Sequence, residues 1–317
     1  MQLPSGETVR IVEVFPRDGL QVLSPTEYEV LTTDRKLELI ESLSDCGFPV
    51  VEVTNFAHPD VLPQFADAEA VVEGLPDRDD VGYRVVVPNV YGLNRAIDAG
   101  ADYVHLYLVA SEEYQRRNVG MTIEENLDEI ERMAALAEDA GIKHTVGLGM
   151  LFEDPFSGLI PESRVLDILD RLCDMGFNEV SLADSFGMAD PLTVYDRCST
   201  AVERWPDVSF ALHLHDRHGF ALANVLAGLQ AGVFDYETAI GGIGGGVAFP
   251  DDQKSKGNVS TEEVIRFCHR LGLETGVDLD CVLENARNAC ELVGLTPQTP
   301  IHQTGTLEDA IEQYRDA

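Results

Sequence analysis

The sequence predicts an α/β protein whose 317 residues form a (β/α)8 TIM barrel followed by a C-terminal helical extension. Short β-branched runs alternate with longer amphipathic segments, and this unit recurs eight times at a spacing of roughly 30 residues. Glycine directly follows five of the amphipathic segments, at the position where helices commonly end. Eight strand-then-helix units are what a closed barrel requires. An open doubly wound sheet is the alternative that counting leaves open.

The predicted strands are short runs rich in valine, isoleucine and leucine, a composition typical of parallel strands buried on both faces. Most are flanked by glycine, proline or polar residues that favour turns. In chain order they cover residues 10–15, 50–56, 82–88, 103–110, 144–151, 179–185, 209–215 and 234–241.

The predicted helices lie between these strands, where apolar residues recur at helical spacing. They cover residues 34–46, 63–74, 91–99, 122–140, 161–175, 190–204, 219–231 and 260–271. The helix-ending glycines are Gly47, Gly100, Gly141, Gly176 and Gly232. We expect residues 1–275 to form the catalytic barrel and residues 276–317 to form a helical extension packed on it.

The charge balance is strongly acidic, with 22 lysine and arginine residues against 56 aspartate and glutamate residues and a net charge of −34. This argues against a nucleic-acid partner, which a basic surface would bind. We interpret the dispersed acidity as adaptation to a salt-rich, halophilic cytoplasm; an ordinary acidic protein is the alternative.

No apolar stretch approaches the ~20 residues of a membrane span, and the N-terminus resembles no signal peptide, so a cytoplasmic location is expected.

The six cysteines show no metal-binding or redox spacing. None of them forms a CxxC pair or another zinc-type pattern, and most lie in amphipathic helical stretches. We therefore expect them to be small buried apolar side chains: Cys46, Cys173, Cys198, Cys268, Cys281 and Cys290.

A candidate metal site follows from the polar residues at the predicted strand ends, where barrel chemistry is located. His213 and His215 are two residues apart in a predicted strand, so both imidazoles point to the same face. An isolated HxH pattern also occurs by chance. With an oxygen from Asp18 and the amide of Asn258, however, it forms a mixed nitrogen and oxygen set. Such a set without a thiolate suits Mg²⁺ or Mn²⁺.

Arg17 and Glu52 are charged residues near the same rim. A guanidinium beside the cation could stabilise negative charge on a carbonyl oxygen, or it could form a structural salt bridge. Glu52 lies within an apolar strand and must find a partner, for which Arg17 is the obvious candidate. Glu52 either positions Arg17 or acts in proton transfer, and the residues alone leave both interpretations open.

The chain resembles the 3-hydroxy-3-methylglutaryl-CoA lyase family, part of a superfamily of metal-dependent TIM-barrel enzymes that also contains condensing synthases. The resemblance covers about residues 8–293, and its motifs occur in order. They are FPRDGLQ (15–21), EVTNFAHPDVLPQFAD (52–67), VPN (87–89), ASE (110–112), LADSFG (182–187), HLHDRHGFALAN (213–224) and KGNVSTEE (256–263).

This resemblance implies roles for individual residues. Asp18, His213, His215 and Asn258 would bind the divalent cation, and Arg17 would stabilise the enolate of the departing acyl-CoA. The family's catalytic carboxylates would correspond to Glu52, Asp184 and Glu262. The implied reaction is a retro-Claisen cleavage of 3-hydroxy-3-methylglutaryl-CoA into acetyl-CoA and acetoacetate. The implied partners are an acyl-CoA substrate and a second copy in a homodimer.

One departure from the family pattern lies in the glycine-rich loop that begins at Gly241. The family has a cysteine after two glycines, whereas this chain has Gly246 or Phe249 there and no cysteine between Cys198 and Cys268. The loop fits neither a dinucleotide nor a P-loop fingerprint, and it is either a plain connection or a mobile lid. Either another group, namely Asp184, Glu52, His218 or water, supplies the proton transfer attributed to the missing thiol, or the substrate or the reaction differs.

Three functions are compatible with the sequence. The first is the carbon–carbon lyase, acting on 3-hydroxy-3-methylglutaryl-CoA or a related 3-hydroxyacyl-CoA. The second is a Claisen-type condensing enzyme that joins acetyl-CoA to a keto acid, which the missing thiol favours and the short C-terminal region disfavours. The third is a metal-binding barrel without catalytic activity, which the intact metal and arginine set disfavours.

Overall fold

The computed structural model describes residues 7–24, 31–245, 257–297 and 299–315 and contains a closed barrel of eight parallel strands. Each strand pairs with its neighbours in sequence order, and β1 closes the barrel by pairing with β8 on one side and β2 on the other. The strands are β1 Arg10–Glu13, β2 Val50–Asn55, β3 Gly82–Val86, β4 Tyr103–Val109, β5 Lys143–Gly149, β6 Glu179–Asp184, β7 Ser209–Leu214 and β8 Asp235–Thr238. The closure confirms the predicted TIM barrel and excludes the open sheet.

Helices connect the strands and cover the outside of the barrel. They are α1 Thr33–Ser44, α2 Ala68–Glu73, α3 Val90–Asp98, α4 Glu112–Asn118, α5 Ile123–Asp139, α6 Glu162–Asp174, α7 Pro191–Arg204, α8 Ala221–Ala231, α9 Thr261–Arg270, α10 Leu279–Leu292, α11 Pro300–Thr304 and α12 Leu307–Arg315. A short antiparallel hairpin joins Glu153–Asp154 to Gly158–Leu159. No helix in the described ranges has the length and apolar character needed to cross a membrane.

The five predicted helix ends are confirmed by the backbone. Gly47, Gly100, Gly141, Gly176 and Gly232 all have positive φ values, between 70° and 93°. A residue with a Cβ atom is strained in this left-handed conformation, whereas glycine adopts it freely. The glycine positions therefore identified where the chain turns back toward the next strand.

The first strand is shorter than predicted. It ends at Glu13, and Phe15–Gly19 forms a single π-helical turn. The backbone amides of Arg17 and Asp18 both donate to the carbonyl of Val14, at 3.1 and 2.6 Å. Pro16 has no amide hydrogen to continue the strand ladder. The turn places Arg17 and Asp18 over the barrel mouth.

The core has two layers with different chemistry. Strand residues that face the helices are apolar and fully buried, such as Val51, Leu106 and Leu182. Several residues that line the inside of the barrel are charged and buried, among them Arg84 and Glu237. The strands therefore supply an apolar contact surface to the helices and a polar lumen to the site.

The C-terminal extension packs on the barrel through α10, which contacts α1, α9 and the turn at Ile240–Gly242. A disulfide joins Cys46, just after α1, to Cys281 on α10. The prediction that all six cysteines are small buried apolar side chains is wrong for these two, which form a disulfide, and for Cys173, which is only half-buried. The two disulfide-bonded cysteines are 235 residues apart, and only folding brings them together. Cys198, Cys268 and Cys290 are buried and unpaired, as expected.

Replacing Cys281 by serine should destabilise the oxidised protein, because the disulfide closes a very long loop and so limits the unfolded chain. We expect a loss of about 2–4 kcal/mol in the free energy of unfolding. Denaturant titration measures this loss, and Cys173→Ser, which removes an unpaired thiol, is the control. Equal stability of wild type and Cys281→Ser under oxidising conditions would contradict the pairing.

Candidate active site

A cavity of about 260 Å³ opens at the carboxyl ends of the strands. Its wall combines apolar side chains from the strand ends and loops with a small polar group at the base. The polar group comprises Arg17 and Asp18 from the π-helical turn, His213 and His215 from β7 and the residue after it, and Glu237 from β8. A concave, mostly apolar site with a few convergent polar groups is typical of small-molecule binding.

Three ligand-type side chains converge at the base of this cavity. Asp18, His213 and His215 are buried, and one ligand atom from each lies within 4.8 Å of the others. The two Nε2 atoms of the histidines are 3.1 Å apart. Side chains on β7 alternate in direction, so His213 and His215 project into the same space, as the spacing predicted.

The outer nitrogen of each histidine has its own hydrogen-bond partner. His213 Nδ1 lies 3.1 Å from Glu237 Oε2, and His215 Nδ1 lies 2.8 Å from the Ser185 carbonyl oxygen. Both partners are acceptors, so both Nδ1 atoms carry the hydrogen and both Nε2 atoms present a lone pair. This is the arrangement that metal-binding histidines use.

Asn258 completes the group. Its Nδ2 donates to Asp18 Oδ2 at 2.6 Å and to the Ile243 carbonyl at 3.1 Å, whereas its buried Oδ1 has no hydrogen-bond partner among the described residues. An unpaired buried oxygen is costly unless a ligand satisfies it. Two imidazoles, a carboxylate and an amide oxygen fit Mg²⁺ or Mn²⁺, so the residues present suit a divalent cation.

The charge states of the site favour cation binding. Burial alone would raise the pKa of the Asp18 carboxyl, but the Arg17 guanidinium and the two imidazoles hold that pKa below its usual value. Burial, with His213 beside it, lowers the pKa of His215 to about 4. Near neutral pH the site therefore offers an ionised carboxylate and a neutral imidazole.

Glycine-rich backbone covers the group from above. Gly244 has a φ of 130°, and a Cβ atom there would overlap Asn258 Nδ2 and Asp18 Oδ2. The Gly245 amide donates to Asp18 Oδ2 at 2.8 Å. Gly246 and Phe249, the positions aligned with the family cysteine, lie outside the described residues.

Arg17 is held between two carboxylates. Its Nε atom is 2.5 Å from Glu52 Oε1, and its Nη1 atom is 2.5 Å from Asp18 Oδ1. The second oxygen of Glu52 lies 2.6 Å from Arg84 Nε. Although burial opposes ionisation, these two arginines hold the pKa of Glu52 below its usual value. Glu52 thus has the contacts of a residue that positions Arg17.

Asp184 and Glu262 are not brought to the cavity. Asp184 accepts hydrogen bonds from the backbone amides of Gly187 and Ala189, at 2.9 and 3.1 Å. Burial raises the pKa of Asp184 to about 6. Glu262 accepts from the Gly241 amide at 3.1 Å, which supports the start of the glycine-rich loop. Both carboxylates contact the main chain of loops beside the site.

Three residues of the site were missed from the sequence. Arg84 is a charged residue inside an otherwise apolar strand, the same signal that identified Glu52, and it could have been found by that signal. Glu237 lies in β8, whose sequence DYET is mostly polar and gives no such signal. Tyr107 lies on the inner face of β4, where its hydroxyl interacts with Ser185. A Cβ atom at Gly149 would overlap that hydroxyl, so glycine at this position admits it to the cavity.

Two pairs of basic residues in the sequence are candidates for binding the phosphates of a CoA ligand: Arg116 with Arg117, and Lys254 with Lys256. Arg116 and Arg117 on α4 form ion pairs with Glu112 and Glu113, one helical turn away, so they are already paired with carboxylates. Lys254 and Lys256 fall outside the described residues.

Comparisons with known proteins agree on one family. The family model described as HMGL-like matches residues 8–288. The "3-hydroxy-3-methylglutaryl-CoA lyase, cytoplasmic" of Danio rerio is 36% identical over 295 residues, covering 93% of this chain and 86% of the relative. The "Hydroxymethylglutaryl-CoA lyase, mitochondrial" of Bos taurus is 35% identical, covering 93% and 89%.

A comparison with solved structures also finds a similarity to an HMG-CoA lyase. The chain is similar to an HMG-CoA lyase from Acinetobacter baumannii in complex with coenzyme A and 3-methylmalate. The TM-score is 0.88 and the sequences are 29% identical, with 97% of this chain and 98% of that chain covered. The likeness thus extends over nearly the whole of both chains.

Replacing His215 by alanine should abolish tight Mn²⁺ binding, because it removes one of the two imidazole nitrogens at the base of the cavity. Electron paramagnetic resonance titration of free Mn²⁺ measures the affinity. His144→Ala, which removes a half-buried imidazole that packs on Phe177, should bind Mn²⁺ as wild type does. Unchanged Mn²⁺ affinity in His215→Ala would contradict the site.

Proposed function

The chain belongs to the HMGL-like family, and from this premise we propose that it is a divalent-metal-dependent carbon–carbon lyase. It cleaves 3-hydroxy-3-methylglutaryl-CoA, or a closely related 3-hydroxyacyl-CoA, into acetyl-CoA and a keto acid, acetoacetate for the first substrate. The names of the relatives support the enzyme class and the substrate. The coenzyme A in complex with the Acinetobacter baumannii relative supports an acyl-CoA ligand.

One observation carries the metal dependence. Asp18, His213 and His215 converge at the cavity base beside Asn258, whose buried Oδ1 finds no partner in the part of the chain that the structure describes. Bound there, Mg²⁺ or Mn²⁺ would act as a Lewis acid that orients the substrate hydroxyl and lowers its pKa. The four side chains would hold the cation, and Glu237 and Ser185 would orient the two imidazoles.

Arg17 supplies positive charge where the reaction develops negative charge. Cleavage breaks the bond between the hydroxyl-bearing carbon and the thioester methylene, and the electron pair moves onto the thioester as an enolate. Arg17 lines the cavity and is fixed by Glu52 and Asp18 before substrate arrives. A preorganised guanidinium stabilises the enolate oxygen without reorganisation during the reaction.

We propose Tyr107 as the acid that protonates the enolate carbon. The substrate hydroxyl gives its proton to solvent, Tyr107 gives one proton to the carbon, and a solvent proton restores the Tyr107 hydroxyl, so protons balance over the reaction. Among the other candidates, both oxygens of Asp184 accept from backbone amides, Glu52 lies between two arginines, and His218 does not line the cavity. Tyr107 lines the cavity, and a phenol keeps its proton near neutral pH, so the hydroxyl is available as a proton donor.

The direct test of this function is to incubate the purified protein in high salt with Mn²⁺ and 3-hydroxy-3-methylglutaryl-CoA and to measure acetoacetate. Thiol release from acetyl-CoA and a keto acid, without acetoacetate formation, would support the condensing enzyme. The lack of a thiol between Cys198 and Cys268 is the observation that favours this second candidate. Mn²⁺ binding with neither activity would indicate a non-catalytic barrel.

Replacing Tyr107 by phenylalanine should lower kcat by about 10²–10⁴-fold, the usual contribution of general acid catalysis. Mn²⁺ affinity should not change, because Tyr107 is not among the proposed ligands. Tyr114→Phe removes another hydroxyl from the cavity wall and serves as the control. A wild-type kcat in Tyr107→Phe would contradict the assignment.

We further propose that the protein is a homodimer in a salt-rich cytoplasm. The net charge of −34 supports the salt-rich setting, because dissolved ions screen the self-repulsion of an acidic surface. The relatives include proteins named cytoplasmic and proteins named mitochondrial, and the former support this location. Sedimentation velocity and thermal unfolding should show a dimer in molar KCl and a lower melting temperature in dilute buffer.

A further inference from the structure

Charged side chains of alternating sign cross the barrel lumen and connect two residues of the proposed metal site. Glu237 links His213 to Arg84, with Arg84 Nη2 2.7 Å from Glu237 Oε1. Arg84 Nε contacts Glu52 Oε2 at 2.6 Å. Glu52 continues to Arg17, and Arg17 to Asp18. No side chain in this series of contacts is more than 13% exposed.

We propose that Glu237 and Arg84 are positioning residues that determine which nitrogen of His213 faces the metal site, and that join His213 to Arg17 through Glu52. This inference rests on the proposed metal site for its functional meaning. Neither residue belongs to the motifs through which the chain resembles its family, and neither touches the cation position directly.

Glu237 determines the hydrogen position because an ionised carboxylate can only accept. Its Oε2 atom faces His213 Nδ1, so the hydrogen must be on Nδ1 and the lone pair on Nε2. Nε2 is the atom that points at His215 Nε2, 3.1 Å away. The opposite tautomer would place a hydrogen in the space where the cation binds.

Arg84 restrains the orientation of Glu237 through a buried ion pair, with Arg84 Nη2 2.7 Å from Glu237 Oε1. It occupies Oε1 of Glu237 and leaves Oε2 to His213. Arg84 is on β3 and Glu237 on β8, which are not neighbours in the barrel. The contact therefore spans the lumen, and the register between adjacent strands does not account for it.

This geometry predicts how the nearly isosteric change Glu237→Gln alters the position of the hydrogen on His213. Arg84 would keep the remaining side-chain oxygen, so the amide group would turn its hydrogens toward His213 Nδ1. Nδ1 would then have to accept, and the hydrogen would move to Nε2. The variant should lose the metal-binding tautomer while its side chain keeps the same size and position.

The experiment compares wild type, Glu237→Gln and Asp235→Asn without any CoA ester. Asp235 precedes Glu237 by two residues on the same face of β8 and contacts Ser209 and Arg10, away from His213. We expect Glu237→Gln to bind Mn²⁺ about 10–100-fold more weakly and Asp235→Asn to bind as wild type does. Nitrogen-15 spectra of metal-free, histidine-labelled protein should show the His213 hydrogen on Nε2 only in Glu237→Gln.

The double variant Arg84→Gln with Glu237→Gln tests the role of Arg84. It removes one charge of each sign, and it frees the new amide at position 237 to present its oxygen to His213 Nδ1. We expect its Mn²⁺ affinity to exceed that of Glu237→Gln alone. Glu237→Gln alone leaves the positive charge of Arg84 with one carboxylate partner fewer and could prevent folding. In that case the double variant, which also removes the charge of Arg84, provides the Mn²⁺ measurement.

Wild-type affinity and an Nδ1–H signal in Glu237→Gln would overturn the inference. A double variant no tighter than Glu237→Gln would overturn the role of Arg84. If the wild type itself does not bind Mn²⁺, the proposed metal site fails. The tautomer of His213 in the metal-free protein then still decides whether Glu237 sets the hydrogen position.

Discussion

Mutual neutralisation of buried charges inside a closed barrel is the constraint on which the site depends. An unpaired ion in a protein interior costs roughly several kcal/mol, so each charge in the lumen must face one of opposite sign. Glu52 and Glu237 meet this condition by sharing Arg84, and Glu52 also pairs with Arg17. Removing any one of these side chains would leave its partner undercompensated. The charged side chains at the cavity base are therefore already paired in the protein without substrate, which is the preorganisation that electrostatic catalysis requires.

The glycine-rich backbone that lies over the site is held in place by a second pair of buried acidic side chains. Glu13 accepts from the Ile240 amide and Glu262 from the Gly241 amide, so both support the turn that leads to Gly244 above Asp18. Glu262 in turn accepts from Thr299 Oγ1 of the C-terminal extension at 3.1 Å. The extension is thereby linked by two hydrogen bonds to the loop over the proposed metal site.

Sequence patterns located most of the fold and part of the site. The strand and helix positions were found within a few residues because periodicity and glycine caps are local signals. His213 and His215 were found because two-residue spacing in a strand has one geometric outcome. Glu52 was found with Arg17 as partner, but its second partner Arg84 was missed. Arg84 contacts Glu52 from another strand, and the spacing of residues within one strand does not predict which residues of a second strand lie beside it.

The sequence by itself determined the class of barrel, the family and the kinds of ligand atom available, because these follow from residue order and type. Only the tertiary structure decided which atoms meet. It joined Cys46 to Cys281 across 235 residues, placed Asp184 and Glu262 against backbone amides outside the cavity, and set Glu237 behind His213. The physical reason is that hydrogen bonds and ion pairs require a few ångströms of proximity. Residues distant along the chain reach that proximity only when the barrel closes.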